Sequence, residues 1–184
     1  MQKLRITVFG GSKPRAGEPA YLEAFSLGKL LAEAGHTVLT GGYIGSMEAV
    51  SQGASQAGGH VIGVTCSQIE AWRPGGPNPW VKEEMRFSTL RERLFALIDT
   101  CEAAIALPGG AGTLAEISVM WNHLLTHSIE ARPLILVGAG WKVTFEAYFQ
   151  AMGDYIPVRE RAWLTFAAGP EKAVELLKNL KPIS

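Results

Sequence analysis

The chain reads as an α/β domain in three layers, a mainly parallel sheet of about six or seven strands covered by helices on both faces. Two observations predict this. Short apolar runs alternate along the 184 residues with helical stretches of crossover length, which calls for parallel strands joined by right-handed connections. Three of the runs also end in glycine-rich turns that open into a helical pattern, at residues 10–12, 41–47 and 109–113. Such turns place ligand-binding loops at the carboxyl edge of an open sheet.

Taken in order, residues 4–9 predict a buried first strand ending in Gly10-Gly11-Ser12. Residues 14–19 are a loop, and residues 20–34 a helix stopped by Gly35. Residues 36–39 form the second strand, which ends in Gly41-Gly42-Tyr43-Ile44-Gly45-Ser46-Met47. The helix opened by that turn runs to about residue 57, before Gly58-Gly59, and residues 61–64 are the third strand. Residues 71–79 carry Pro74, Gly75, Gly76, Pro77 and Pro79 and read as an irregular surface loop of the kind often used as a lid. A short strand at 84–87 precedes a helix at 89–100, whose Thr89-Leu-Arg-Glu92 start is a capping box. Residues 103–107, closed by Pro108, suit a strand covered on both faces. The remaining elements are a helix after the third glycine turn, a strand at 132–137, a helix at 143–152, a strand at 163–166 and a helix at 171–180 with Pro170 at its start.

A chain of this length makes one domain, 1–184, able to bury a substantial core. Seventeen Lys and Arg balance seventeen Asp and Glu, so there is no electrostatic footprint for nucleic acid or an anionic membrane. Small acidic ligands remain open through local sites. Cys66 and Cys101 are too few and too far apart for a disulfide framework or a zinc site. Met1-Gln-Lys-Leu-Arg leads straight into a strand without an apolar signal region, and no run approaches the roughly 18 apolar residues of a membrane span. The expectation is a soluble, untargeted, cytoplasmic protein.

The third glycine turn carries the strongest functional signal. Gly109, Gly110 and Gly112 leave no Cβ between the loop amides and a ligand, and with Ala111 they form a loop whose free N–H groups favour a phosphate. Thr113 is read as the cap of the next helix, with Glu116 in its first turn. Two roles for Glu116 stay open. Thr113-Leu-Ala-Glu116 also spells a capping box, in which the carboxylate only returns a hydrogen bond to the backbone. The turn lacks the Lys-Ser/Thr of a P-loop and is shorter than G-x-G-x-x-G.

An arginine of the preceding helix is the second candidate. Leu90, Leu94, Leu97 and Cys101 form the apolar stripe, and Arg91 and Arg93 flank it at about 80° on opposite sides; periodicity does not choose between them. Ser12 can donate to a phosphate, but no Ser-His-Asp order or G-x-S-x-G elbow makes it a nucleophile. His123 and His127 have the i, i+4 spacing of a metal pair, yet His123 lies roughly 10 Å from Glu116 and no third ligand is evident. A surface or subunit contact is expected there, and no metal or cofactor.

Pro108-Gly-Gly-Ala-Gly-Thr-Leu-Ala-Glu116 resembles the P-G-G-x-G-T-x-x-E signature of the LOG (Lonely Guy) family, often labelled lysine decarboxylase-like. Phe9-Gly-Gly-Ser12, the second turn, which is similar to the family's G-G-x-x-G-x-M, and Val61-Ile-Gly-Val agree, so the likeness covers nearly the whole chain. The resemblance implies a Rossmann-like fold and a homodimer, the latter also suggested by Trp121 and Leu125 along the helix after the motif. It implies hydrolysis of the N-glycosidic bond of a nucleoside 5′-monophosphate of the AMP or cytokinin riboside type, without a cofactor. The decarboxylase label fits poorly, because no lysine lies in any of the three glycine turns to hold pyridoxal phosphate. The family's Arg-Lys pair falls on Arg93 and Leu94, so the resemblance selects Arg93 and finds its lysine missing. The implied catalytic pair is Glu116 and Arg93. The implied nucleotide site is Gly10, Gly11, Ser12, Gly41, Gly42, Gly45, Met47, Gly109, Gly110, Ala111, Gly112 and Thr113. Related folds include carriers of the molybdenum cofactor, which makes a non-catalytic carrier the alternative.

Overall fold

The computed structural model describes residues 3–179; the expected end of the last helix at Leu180 lies outside them. Seven strands, β1 (Arg5–Phe9), β2 (Thr37–Thr40), β3 (Val61–Cys66), β4 (Glu83–Phe87), β5 (Ala103–Ala106), β6 (Leu134–Val137) and β7 (Leu164–Ala167), form one sheet. Its order is β4-β3-β2-β1-β5-β6-β7, and every pairing is parallel. The chain winds outward from β1 to β4, returns across the sheet and winds the other way from β5. The strand order therefore reverses between β1 and β5, where the loops after these two strands diverge and leave a crevice.

The side-chain alternation of the strands builds a core on each face. Ile6, Val8, Ile105, Ile135 and Val137 pack under α1 (Pro19–Glu33), α2 (Ser46–Gln56) and α8 (Pro170–Asn179). Phe9, Ala104, Ala106, Leu134 and Leu136 pack under α4 (Leu90–Asp99), α5 (Ala111–Leu125) and α6 (Ala139–Ala151). The expected three-layer α/β fold is the observed one.

Local differences have local causes. Residues 67–72 form α3 (Ser67–Trp72), a helix that no periodic pattern announces because none of its residues is buried. The following loop is not loose: the buried Asn78 amide donates to the Gly42 and Tyr43 carbonyls at 3.0 and 2.9 Å, tying it to the second glycine turn. α6 begins four residues ahead of its expected start, because Gly138, with φ of 97°, makes the turn and Trp141 is buried with its indole N–H donating to the Leu107 carbonyl at 3.0 Å. A 3-10 turn at Gly153–Tyr155 and α7 (Val158–Arg161) fill the connection to β7. Among the described residues no helix is long and apolar enough to cross a membrane.

Candidate functional site

A cleft of about 650 Å³ opens at the carboxyl edge of the sheet over the point where strand order reverses. Its floor is the first and third glycine turns. Gly10, Gly11 and Ser12 line it after β1, and Gly109, Gly110, Ala111, Gly112 and Thr113 line it after β5. The two turns are tied together by the Gly11 amide donating to the Pro108 carbonyl at 3.2 Å. The ladder of α5 starts with the Leu114 amide donating to the Gly110 carbonyl at 3.0 Å. The amides of Ala111, Gly112 and Thr113 thus precede the first helical bond and remain available to an anion at the positive end of the helix. A Cβ at Gly110 or Gly112 would meet nothing within 4 Å, so both face open space.

The cap expected at Thr113 is not formed. Gly110 is the N-cap and Ala111 the first helical residue, which places Thr113 in the first turn with no side-chain capping bond. Thr113 is buried, its hydroxyl 2.1 Å from where a Cβ of Gly109 would sit, so Gly109 is small to admit Thr113. The capping-box reading of Glu116 falls with it. Contrast the box at the start of α4, where Thr89 and Glu92 make both reciprocal bonds.

Glu116 instead points across the cleft to Arg93, its Oε1 3.8 Å from Nη1. That distance allows an ion pair but not a hydrogen bond, and no described residue hydrogen-bonds the Glu116 carboxyl. Only 13% of the side chain is exposed. Burial raises its pKa to about 7, with the Arg93 charge pulling the other way.

Arg93 is held from behind. Its Nε donates to the Val64 carbonyl at 2.7 Å and its Nη2 to the Gly41 carbonyl at 3.1 Å, with Met47 Sδ 3.9 Å away and the Tyr43 ring centroid 5.6 Å from Cζ. These acceptors draw the guanidinium into the protein, which corrects the expected stripe of α4. Leu97 and Cys101 are buried and Leu94 packs against them, as expected, but Arg93 and Ile98 join the buried face and Leu90 is exposed at the cleft. Arg91 lies outside the cleft with its guanidinium over the Phe95 ring.

The second glycine turn has a different job from the one expected. Met47 lines the cleft, but Gly41, Gly42 and Gly45 are buried and do not. A Cβ on Gly41 would sit 1.9 Å from Arg93 Nη2, and one on Gly45 would sit 2.6 Å from the Gly11 carbonyl oxygen. They make room for the arginine and for the first turn. The histidines do not share a helix either: α5 ends at Leu125, His127 follows it with φ of 53°, and His123 stacks on Phe95 at 5.5 Å. Among the lining residues the sequence reading missed are Ile69, Trp72 and Arg73 on and after α3; the last two fall in the stretch expected to be a loop, where a tryptophan was the one available signal.

Compared with known proteins, residues 3–144 match the SLOG cluster4 family. The chain is 30% identical to the probable cytokinin riboside 5′-monophosphate phosphoribohydrolase LOGL9 of Oryza sativa subsp. japonica, over 97% of this chain and 79% of that protein. It is 29% identical to the pyrimidine/purine nucleotide 5′-monophosphate nucleosidase of Escherichia coli, over 96% of this chain but 40% of that protein. Among solved structures, the molybdenum cofactor binding protein of Rippkaea orientalis superposes with a TM-score of 0.75 at 26% identity over 97% of each chain.

Proposed function

This chain belongs to the SLOG cluster4 family, and from that premise we propose that it hydrolyses the N-glycosidic bond of a nucleoside 5′-monophosphate, of the AMP or cytokinin riboside type, to free base and ribose 5-phosphate. The observation that carries the reading is Glu116: a buried carboxyl, ion-paired with Arg93 but hydrogen-bonded to no described residue, facing a cleft whose floor suits a phosphate. A structural carboxylate would have its acceptors filled.

The 5′-phosphate rests on the amides of residues 111–113, with Ser12 and Thr113 as hydroxyl donors, which fixes the ribose above Glu116. The C1′–N bond breaks with its electron pair leaving on the base, and positive charge develops on the sugar. The Glu116 carboxylate stabilises that charge and accepts a proton from the water whose oxygen bonds to C1′; the base receives the balancing proton. A carboxyl that titrates near neutrality can both take and return a proton there. Arg93, anchored by two backbone carbonyls, holds the carboxylate in place.

Base release from nucleoside monophosphates by wild type and Glu116→Gln tests the assignment. We expect the variant to fold and bind phosphate while turnover falls about a hundredfold or more. Equal activity would remove Glu116 from the mechanism. A wild type that binds nucleotide but releases no base would favour the carrier reading that the Rippkaea orientalis likeness supports.

We further propose a homodimer in the cytoplasm. Leu125 lines a groove of about 470 Å³ with Leu114, Phe145 and Tyr148, and Leu114 and Tyr148 are 41% and 45% exposed. Trp121 contributes less than expected, being buried with its indole N–H on the Glu160 carbonyl. A monomeric mass by light scattering at micromolar concentration would refute the dimer. Cys66 and Cys101 are unpaired thiols, which fits a reducing compartment.

A further inference from the structure

The cleft continues beyond Glu116. From the loop after β5 it passes those after β1 and β2 and ends at Ile69, Trp72 and Arg73, behind β3. Three strand spacings make about 14 Å, the span of a nucleoside monophosphate laid out from phosphate to base. With the phosphate at residues 109–113 and the sugar at Glu116, the base falls at α3.

Two side chains there make no hydrogen bond to a described residue. Trp72 lines the cleft but is 79% exposed. Arg73, half-buried at the end of α3, has its guanidinium 5.6 Å from the Tyr43 ring centroid and 5.8 Å from that of Trp72. It makes no side-chain hydrogen bond or ion pair with a described residue, whereas nearby Arg86 is paired with Glu70 and Arg93 with two carbonyls. A guanidinium laid on two aromatic faces keeps its donor fork free and its orientation restricted. Acceptors for a base are scarce at this end. The Tyr43 hydroxyl is engaged with the Cys66 backbone, Glu70 is engaged by Arg86, and Leu90 and Leu94 are apolar.

We propose that α3 reads the base: Trp72 stacks on it, and Arg73 donates paired hydrogen bonds to two neighbouring acceptors on its edge, so that the cleft favours the 6-oxopurine nucleotides GMP and IMP over AMP. A 6-oxopurine presents O6 and N7 side by side, which matches the fork. Adenine replaces O6 with an amino donor, which faces the fork donor to donor. The proposal rests on the nucleotide reading above and narrows its base.

The test measures kcat/KM for base release from GMP, IMP and AMP with wild type, Arg73→Met and Trp72→Ala, and calorimetric binding of the same nucleotides to Glu116→Gln with and without Arg73→Met. We expect wild type to favour GMP and IMP over AMP by roughly tenfold to a hundredfold. Arg73→Met should abolish that ratio by lowering GMP and IMP much more than AMP, which offers the fork N7 alone, and Trp72→Ala should weaken all three alike. Hydrolysis with AMP equal or preferred, or a uniform loss in Arg73→Met, would overturn the base assignment and leave the hydrolase standing. Tighter binding of GMP than AMP, erased by Arg73→Met in a chain that hydrolyses neither, would support the base assignment and sink the hydrolase. Absence of nucleotide binding would sink both.

Discussion

Two glycine turns that look alike in sequence do opposite work. In the turn after β5, Gly110 and Gly112 face empty space, and their missing side chains leave room for a ligand outside the protein. In the turn after β2, Gly41 and Gly45 face a crowded interior, and their missing side chains leave room for Arg93 and for the backbone of the first turn. The Ser46 amide, donating to the Gly11 carbonyl at 2.9 Å, shows the same support. One turn opens onto the cleft, whereas the other supports groups that line it, so a glycine motif reports a steric limit without saying on which side of the backbone it lies.

Substitution separates the two. The largest effect is expected from Gly41→Ala, whose new methyl would overlap Arg93 Nη2 and lie 2.5 Å from Met47 Sδ. Displacing the guanidinium should cost about 1–3 kcal/mol of stability and on the order of a hundredfold in turnover through Glu116, read by melting and base release. Unchanged activity would mean that Arg93 does not need its seat on the Gly41 carbonyl.

Next comes the pH dependence of Glu116, the group between the two turns. Its folded pKa of about 7 lies above the ordinary 4.5, so the folded state holds the proton more tightly than the unfolded chain. The burial cost is absent below pH 4.5, grows between 4.5 and 7 and is complete above 7. Glu116→Gln should therefore gain on wild type as pH rises from 4 to 8, by on the order of 3 kcal/mol, measured by denaturation at each pH. A difference that does not vary with pH would contradict the buried, unbonded carboxyl. For the same reason wild-type kcat/KM should fall below pH 7 as the carboxylate is protonated.

Gly112→Ala should have the smallest effect on the fold and a favourable one. The site is helical and open, so alanine should add up to about 1 kcal/mol while its methyl weakens phosphate binding at the adjacent amides. A variant that is more stable yet binds nucleotide as well as wild type would place the ligand away from the turn after β5.

The sequence by itself determined the fold. Seven strand runs, helices of crossover length and glycine at the strand ends are local signals, and local signals suffice for a parallel sheet because each element must bury its own apolar residues against the same two layers. It also placed Glu116, since a strand, a turn and the first helical turn lie within fourteen residues, from Ala103 to Glu116. Tertiary structure decided what those groups do. The choice of Arg93 over Arg91, open to periodicity and made only by resemblance, rests on carbonyls of Val64 in β3 and Gly41 in the turn after β2. Glu116 lost its capping role because the helix starts at Ala111, which puts Thr113 inside the first turn and packed against Gly109. The inward or outward burden of each glycine, and the base-reading end at α3, depend on what lies across space from a residue, and no spacing along the chain encodes that.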